Sequence, residues 1–188
     1  MDALMAAIVA AALAQIGDRP AWLAAILSDR YRAPWTIIAG AALALAAAGG
    51  LAAAAGALMA ARLTPNAKLL MLALALLFQG AGVVGRVKMP DRLEGWRLGA
   101  FATSLLGLFI LAFGDGVQFI VLTLAARSPL PWLAAAGAAI GSLVVIVPAV
   151  MLGESAWIAL PLRAARTAAS VLLLAAGAVL ALTALQIV

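Results

Sequence analysis

The sequence predicts an all-α membrane protein of six transmembrane helices, arranged as two inverted three-helix repeats. Of the 188 residues, 68% are apolar and only 10% are charged, and the mean hydropathy of +1.20 lies far above that of soluble domains. Six apolar blocks approach the length of about 20 residues that a helix needs to cross a bilayer. A Gly-Asp pair occurs in the first block and again in the fourth, 97 positions later.

The six predicted spans follow one another with short polar connections. We place them at residues 3–28, 35–61, 67–86, 98–126, 131–152 and 165–187. The connections contain proline and charged residues, which end apolar helices, and none is long enough for a separate domain. The most charged connection, residues 86–97, falls at the middle of the chain. It divides the protein into a first repeat, residues 1–92, and a second repeat, residues 93–188.

The orientation of the spans follows from the basic residues of the connections. Because each repeat has an odd number of spans, the second enters the membrane from the opposite side. Three basic residues fall on one face, namely Arg62, Lys68 and Arg127, whereas eight fall on the other, namely Arg30, Arg32, Arg86, Lys88, Arg92, Arg97, Arg163 and Arg166. The richer face is predicted to be cytoplasmic, which places both termini in the periplasm of a bacterial inner membrane.

The charge of +5 does not indicate a nucleic-acid-binding protein. The chain has no basic stripe with interleaved aromatic residues and no soluble domain to carry one. We therefore expect no nucleic-acid partner, only the lipid bilayer and transported ions. The oligomeric state stays open, with a homodimer as one option.

The first Gly-Asp pair lies in the segment Gln15-Ile16-Gly17-Asp18-Arg19-Pro20. Gly17 and Pro20 bracket the charged residues, and we expect the helix to loosen there because proline cannot donate its backbone hydrogen bond. Gln15 precedes Asp18 by three residues, so their side chains share a face if the helix persists. Arg19 could instead form an internal salt bridge with Asp18 that is purely structural.

The second pair lies in Ala112-Phe113-Gly114-Asp115-Gly116-Val117-Gln118. Gly114 and Gly116 give the backbone the same freedom without a proline, and Gln118 follows Asp115 by three residues. No basic residue is near Asp115 in the sequence, and an unpaired acid inside a membrane is a functional candidate by default. Gln79 of the third span could line a cavity or bond a neighbouring helix, and we favour the packing role.

These residue types predict a cation site that is built from oxygen ligands. The chain has no cysteine and no histidine, which removes thiolate and imidazole chemistry. Two carboxylates, two amides and freed carbonyls approach the six or so hard oxygen ligands that Mg²⁺, Mn²⁺ or Ca²⁺ takes. The aspartates could take up protons when the cation leaves, which would give cation/proton exchange. We expect no catalysis, because no nucleophile and base pair is apparent, and no cofactor.

At these two segments the chain resembles the transmembrane-protein-165-like (Gdt-type) cation/proton antiporters of Golgi and bacterial membranes. Their signature, Glu-x-Gly-Asp-(Lys/Arg)-(Thr/Ser), occurs once in each of two three-span repeats. The first copy here keeps Gly17, Asp18 and Arg19, with Gln15 in place of the glutamate. The second copy keeps Gly114 and Asp115. The resemblance implies a divergent antiporter of Mn²⁺ or Ca²⁺, with two carboxylates where its relatives carry four.

Two other functions fit the same sequence. In an exporter of a small organic solute, such as an amino acid, Asp18 or Asp115 would bind an ammonium group and Arg19 a carboxylate. A membrane subunit that does not transport would hold both aspartates against basic or helix-end partners. Convergence of the two aspartates on one place would favour the metal site.

Overall fold

The structure is a computed structural model that describes residues 2–84 and 88–186. Within those ranges it contains helices and no strand. The eight helices are α1 (Asp2–Gln15), α2 (Arg19–Tyr31), α3 (Pro34–Ala60), α4 (Pro65–Val84), α5 (Gly99–Ala112), α6 (Gly116–Arg127), α7 (Trp132–Ala159) and α8 (Leu162–Ala184). The prediction of an all-α membrane protein is therefore confirmed at this level.

Bent helix pairs occupy the places of two predicted spans, and each pair is either a broken span or a re-entrant loop. The helices α1 and α2 meet at 67° in the place of the first span, and α5 and α6 meet at 70° in the place of the fourth. In each bend a glycine adopts a positive φ, 66° at Gly17 and 81° at Gly114. This conformation is costly for residues with a Cβ atom, so the position of each bend follows from its glycine.

Three further helices, α3, α7 and α8, are long and apolar enough to cross a membrane, which gives up to five spans in the described part of the chain. The helix α4 occupies the place of the third predicted span and carries Asn66 and Lys68 near its start. The six-span count therefore stays a prediction. The predicted ends at residues 86 and 187, and Arg86 itself, lie outside the described residues.

The fifth predicted span ends where α7 has a break. At Gly153 the backbone is not helical (φ 74°, ψ 175°), so a first helical segment stops at the predicted residue 152 and a second one runs on to Ala159. Beyond the kink, the N–H of Glu154 donates to the Asp29 carboxylate at 2.8 Å. A side chain therefore provides the hydrogen-bond partner that this backbone N–H lacks within the helix. After Pro161, α8 begins at Leu162. Arg166 therefore lies on a helix and not in a connection.

The central connection packs on the end of the bundle that contains the last turns of α2 and α7. Arg30 of α2 donates to the carbonyls of Leu93 at 2.8 Å and Trp96 at 3.0 Å, and Arg92 forms an ion pair with Glu154 of α7. Since α3 follows α2 directly, α3 starts at this end and finishes at the opposite one. Arg30 and Arg92, which were predicted to share a face, do lie together.

Close helix contacts occur in pairs whose residue numbers differ by 97. Gly40 of α3 lies against Ser104 of α5, and Gly137 of α7 lies against Leu4 and Ala7 of α1. The helix contacts repeat in the same way between the two halves of the chain. In one half α1 and α2 both contact α7, and in the other α5 and α6 both contact α3. Without a Cβ atom, glycine lets two helix backbones approach closely, which is how membrane helices gain packing energy.

A further pair of glycine contacts, at Gly56 and Gly153, lies at opposite ends of the bundle. Gly56, near the end of α3, contacts the carbonyl of Leu122 in α6, whereas Gly153, near the end of α7, contacts Asp29 in α2. The second contact is at the end that holds the central connection, and the first is at the other end. Large apolar side chains cover the outside of the bundle, including Trp35, Leu58, Phe78 and Trp132, as expected of a surface that faces lipid.

Candidate ion site at two helix breaks

The two aspartates occupy the same backbone position in the two bends. Asp18 is the N-cap of α2, with φ −89° and ψ 169°, and Asp115 is the N-cap of α6, with φ −69° and ψ 157°. The N–H of Asp18 donates to the Gln15 carbonyl at 3.2 Å, and that of Asp115 to the Ala112 carbonyl at 3.1 Å. Each break therefore places one carboxylate between the end of one half-helix and the start of the next.

This position suits a negative charge. The first N–H groups of a helix have no partner within the helix, and the helix dipole gives its N-terminus a partial positive charge. Asp115 uses this directly, because its Oδ1 atom accepts a hydrogen bond from the Gly116 N–H at 2.7 Å. Pro20 is buried in the first turn of α2, where its missing N–H is tolerated. Pro20 therefore helps to start α2, and the break itself lies at Gly17.

Three buried oxygen atoms at the two breaks have no hydrogen-bond partner within residues 2–84 and 88–186. They are Oε1 of Gln15, Oδ2 of Asp115 and Oε1 of Gln118. The Gln15 side chain is only 1% exposed. Leaving a buried polar atom unpaired costs about 1–3 kcal/mol, so such atoms are uncommon and require an explanation. All three are acceptors, and all belong to residues that were predicted from the sequence to be cation ligands.

The two breaks lie in helices that pack on each other. The helix α1 packs on α6, and α2 packs on α5, so the halves of one bend lie against the halves of the other. The charge of the Asp18 carboxylate acts on that of Asp115. Arg19, at the start of α2, has an exposed side chain and acts electrostatically on both aspartates.

Two residues outside the motifs also reach the breaks. The Oε1 atom of Gln79 in α4 lies where a Cβ atom of Gly116 would be, so the Gln79 amide lies directly against the second break. At the first break, the side chain of Arg166 in α8 lies over Gly17. Sequence reasoning assigned Gln79 to helix packing and Arg166 to a connection. Neither location could be predicted, because both depend on how α4 and α8 pack.

The acidic content of the site is small. Among the described residues, no group of three or more acidic, histidine or cysteine side chains could hold a metal ion. A divalent ion at the breaks would therefore depend on two carboxylates, with neutral amide and carbonyl oxygens as the remaining ligands. Oxygen donors of this kind suit Mg²⁺, Ca²⁺ and Mn²⁺.

Comparison with known proteins gives two matches. The family model described as "Divalent cation/proton antiporter GDT1" matches the chain twice, over residues 3–90 and residues 100–187. A protein of Vibrio cholerae serotype O1, strain ATCC 39541 (Classical Ogawa 395 / O395), described as "Putative manganese exporter", is 33% identical over 160 residues, which cover 82% of this chain and 78% of the relative. No solved structure gave a significant match.

The family match extends over nearly all of both predicted repeats, so it does not rest on the two short Gly-Asp segments alone. It agrees with the helical, apolar architecture, and it identifies a multi-pass membrane transporter and not an enzyme. In such a transporter metal ions are the cargo, and no cofactor is implied. The chain belongs to the GDT1 family of divalent cation/proton antiporters.

Proposed function

We propose that this protein exchanges a divalent cation for protons across the bacterial inner membrane, with Mn²⁺ as the favoured substrate and Ca²⁺ as the second. Asp18 and Asp115 bind the metal ion in one half of the cycle and protons in the other. The observation that carries the proposal is the set of three buried, unpartnered acceptor oxygens at the two breaks, on Gln15, Asp115 and Gln118. A bound cation would give each of these atoms a partner and would remove the cost of burying them alone. Manganese is favoured because of the name of the relative.

Charge balance supports exchange with protons. A divalent ion and two protons carry the same charge, so replacing one by the other leaves the net charge of the site unchanged. A change of net charge inside the membrane costs several kcal/mol. Exchange of the ion for two protons therefore avoids this cost in both directions of transport. Broken helices with carboxylates at the break are a common form of such sites in secondary transporters.

The duplicated architecture is part of the proposal. It is supported by the double family match, by the glycine contacts that recur 97 residues apart, and by the location of Gly56 and Gly153 at opposite ends. Trp35 and Trp132, both exposed, begin α3 and α7 and are also 97 residues apart. Two inverted repeats of three spans would place these tryptophans at opposite membrane interfaces, where aromatic belts form. Both termini would then be periplasmic, and the end that contains Arg30 and Arg92 cytoplasmic.

The test is manganese flux in proteoliposomes with an imposed pH gradient. We expect Asp115→Asn to reduce the initial rate of Mn²⁺ transport at least about tenfold, since the loss of one charged ligand weakens divalent binding by more than about 1.4 kcal/mol. The matched control is Asp2→Asn, which removes an exposed aspartate far from the breaks and is expected to transport at the wild-type rate. Equal flux in wild type and Asp115→Asn would refute the proposal.

A further inference from the structure

Arg166 places a third charged side chain at the candidate site. It belongs to α8, but its Cδ and Cγ atoms lie 2.7 Å and 3.2 Å from the position that a Cβ atom of Gly17 would occupy. The side chain therefore passes directly over the first helix break, in space that is open because Gly17 has no side chain. Its Nε atom is buried, and the residue as a whole is half-buried.

The neighbour that this charge acts on is Asp18. The charge of Arg166 acts on the Asp18 carboxylate, as does that of Arg19, the next residue in the chain. Gly17 directly precedes Asp18, so the half-buried Arg166 side chain lies at the break that carries this carboxylate. A positive charge close to a carboxylate stabilises its ionised form.

We propose that Arg166 is an internal counter-ion that competes with the transported divalent cation for Asp18 and thereby lowers the affinity of the site. This inference rests on the proposed function. In the absence of metal the guanidinium group compensates the Asp18 carboxylate. When the divalent ion binds, it must share the carboxylate with Arg166 or displace the side chain, and either event costs binding free energy. The same competition aids release of the ion.

The arrangement gives the two aspartates different roles. The Oδ1 atom of Asp115 accepts from the Gly116 N–H at the start of α6, and its Oδ2 atom has no hydrogen-bond partner among the described residues. Asp18 is under the electrostatic influence of arginines from two helices, Arg19 of α2 and Arg166 of α8. We therefore expect Asp115 to contribute most of the affinity for the cation, and Asp18 to be the ligand whose availability Arg166 controls.

The experiment measures the KM and the maximal rate of Mn²⁺ transport in proteoliposomes for wild type, Arg166→Gln, Arg166→Lys and Arg163→Gln. Arg163 is the matched control, because it lies on the same turn of α8 but is exposed. Arg166→Gln removes a positive charge that competes with Mn²⁺ for Asp18, so we expect it to lower the KM at least about fivefold. Arg166→Lys keeps the charge and should restore the KM to within about threefold of wild type, and Arg163→Gln should not change it.

Several outcomes would overturn the proposal while leaving the proposed function intact. If Arg166→Gln reduces only the maximal rate and leaves the KM unchanged, Arg166 serves packing and not competition. If Arg166→Gln does not fold, Gly17→Ala is the second variant, because its Cβ atom must displace the Arg166 side chain. Gly114→Ala is the control for Gly17→Ala, because it has a similar backbone cost but meets no neighbouring side chain. Equal KM values for these two variants would also overturn the proposal. Failure of the proposed function is a different result: wild type and Asp115→Asn would transport alike.

Discussion

Replacing Gly114 by alanine tests the backbone of the helix breaks separately from their side chains. Gly114 has a φ of 81°, and no atom lies within 4 Å of the position that its Cβ would take. Alanine therefore meets no neighbour, and only the cost of a left-handed conformation remains, about 1–2 kcal/mol for a residue with a Cβ atom. This amounts to a factor of about 5–30 in the equilibrium between folded and unfolded protein.

Gly17→Ala and Gly50→Ala complete the comparison. Gly17→Ala has the same backbone cost at a φ of 66°, but its Cβ also collides with Arg166. Gly50 lies inside α3 with open space around it, so alanine there is expected to be neutral or to stabilise by up to about 1 kcal/mol. The assay is reversible unfolding in mixed detergent micelles, followed by circular dichroism. A Gly114→Ala protein as stable as wild type would show that the break does not require a left-handed residue.

The remaining predictions concern single contacts. Gln15→Leu should weaken Mn²⁺ binding, measured by calorimetry, at least about tenfold. It should change the free energy of unfolding by less than about 1 kcal/mol, because the Oε1 atom has no partner to lose. A large loss of stability with unchanged binding would assign Gln15 a structural role. The Arg92 and Glu154 ion pair is partly exposed, so a double-mutant cycle should give a coupling below about 1 kcal/mol, and a coupling of several kcal/mol would contradict this. Gly137→Val should destabilise by about 1–3 kcal/mol or more through overpacking against the Leu4 backbone and Ala7; unchanged stability would argue against close contact of α1 and α7.

The helix breaks could be predicted from the sequence because their causes are local. Gly17 and Gly114 are followed by aspartates that favour the N-cap of a helix, and Pro20 favours the first turn. A short stretch of residues thus determines where α1 ends and α2 begins. The same locality identified Gln15 and Gln118, whose spacing from the aspartates is fixed by the chain.

The contributions of α4 and α8 to the site could not be predicted, because they depend on tertiary packing. Nothing in the sequence near Arg166 indicates that it reaches Gly17, about 150 residues earlier. The segment after Gly153 could not be predicted for the same reason. Gly153 ends the first part of α7, as expected of a glycine with a positive φ, but the carboxylate of Asp29, from another helix, accepts from the Glu154 N–H at the start of a second helical segment.

The proposed function requires Asp18 and Asp115 to bind one divalent cation together. The most direct test is electron paramagnetic resonance of Mn²⁺ with purified protein, comparing wild type, Asp18→Asn, Asp115→Asn and the double variant, with the folded state checked by circular dichroism. We expect one bound Mn²⁺ per chain in wild type, weaker binding in each single variant and no binding in the double variant. A double variant that binds Mn²⁺ as wild type does would contradict the claim.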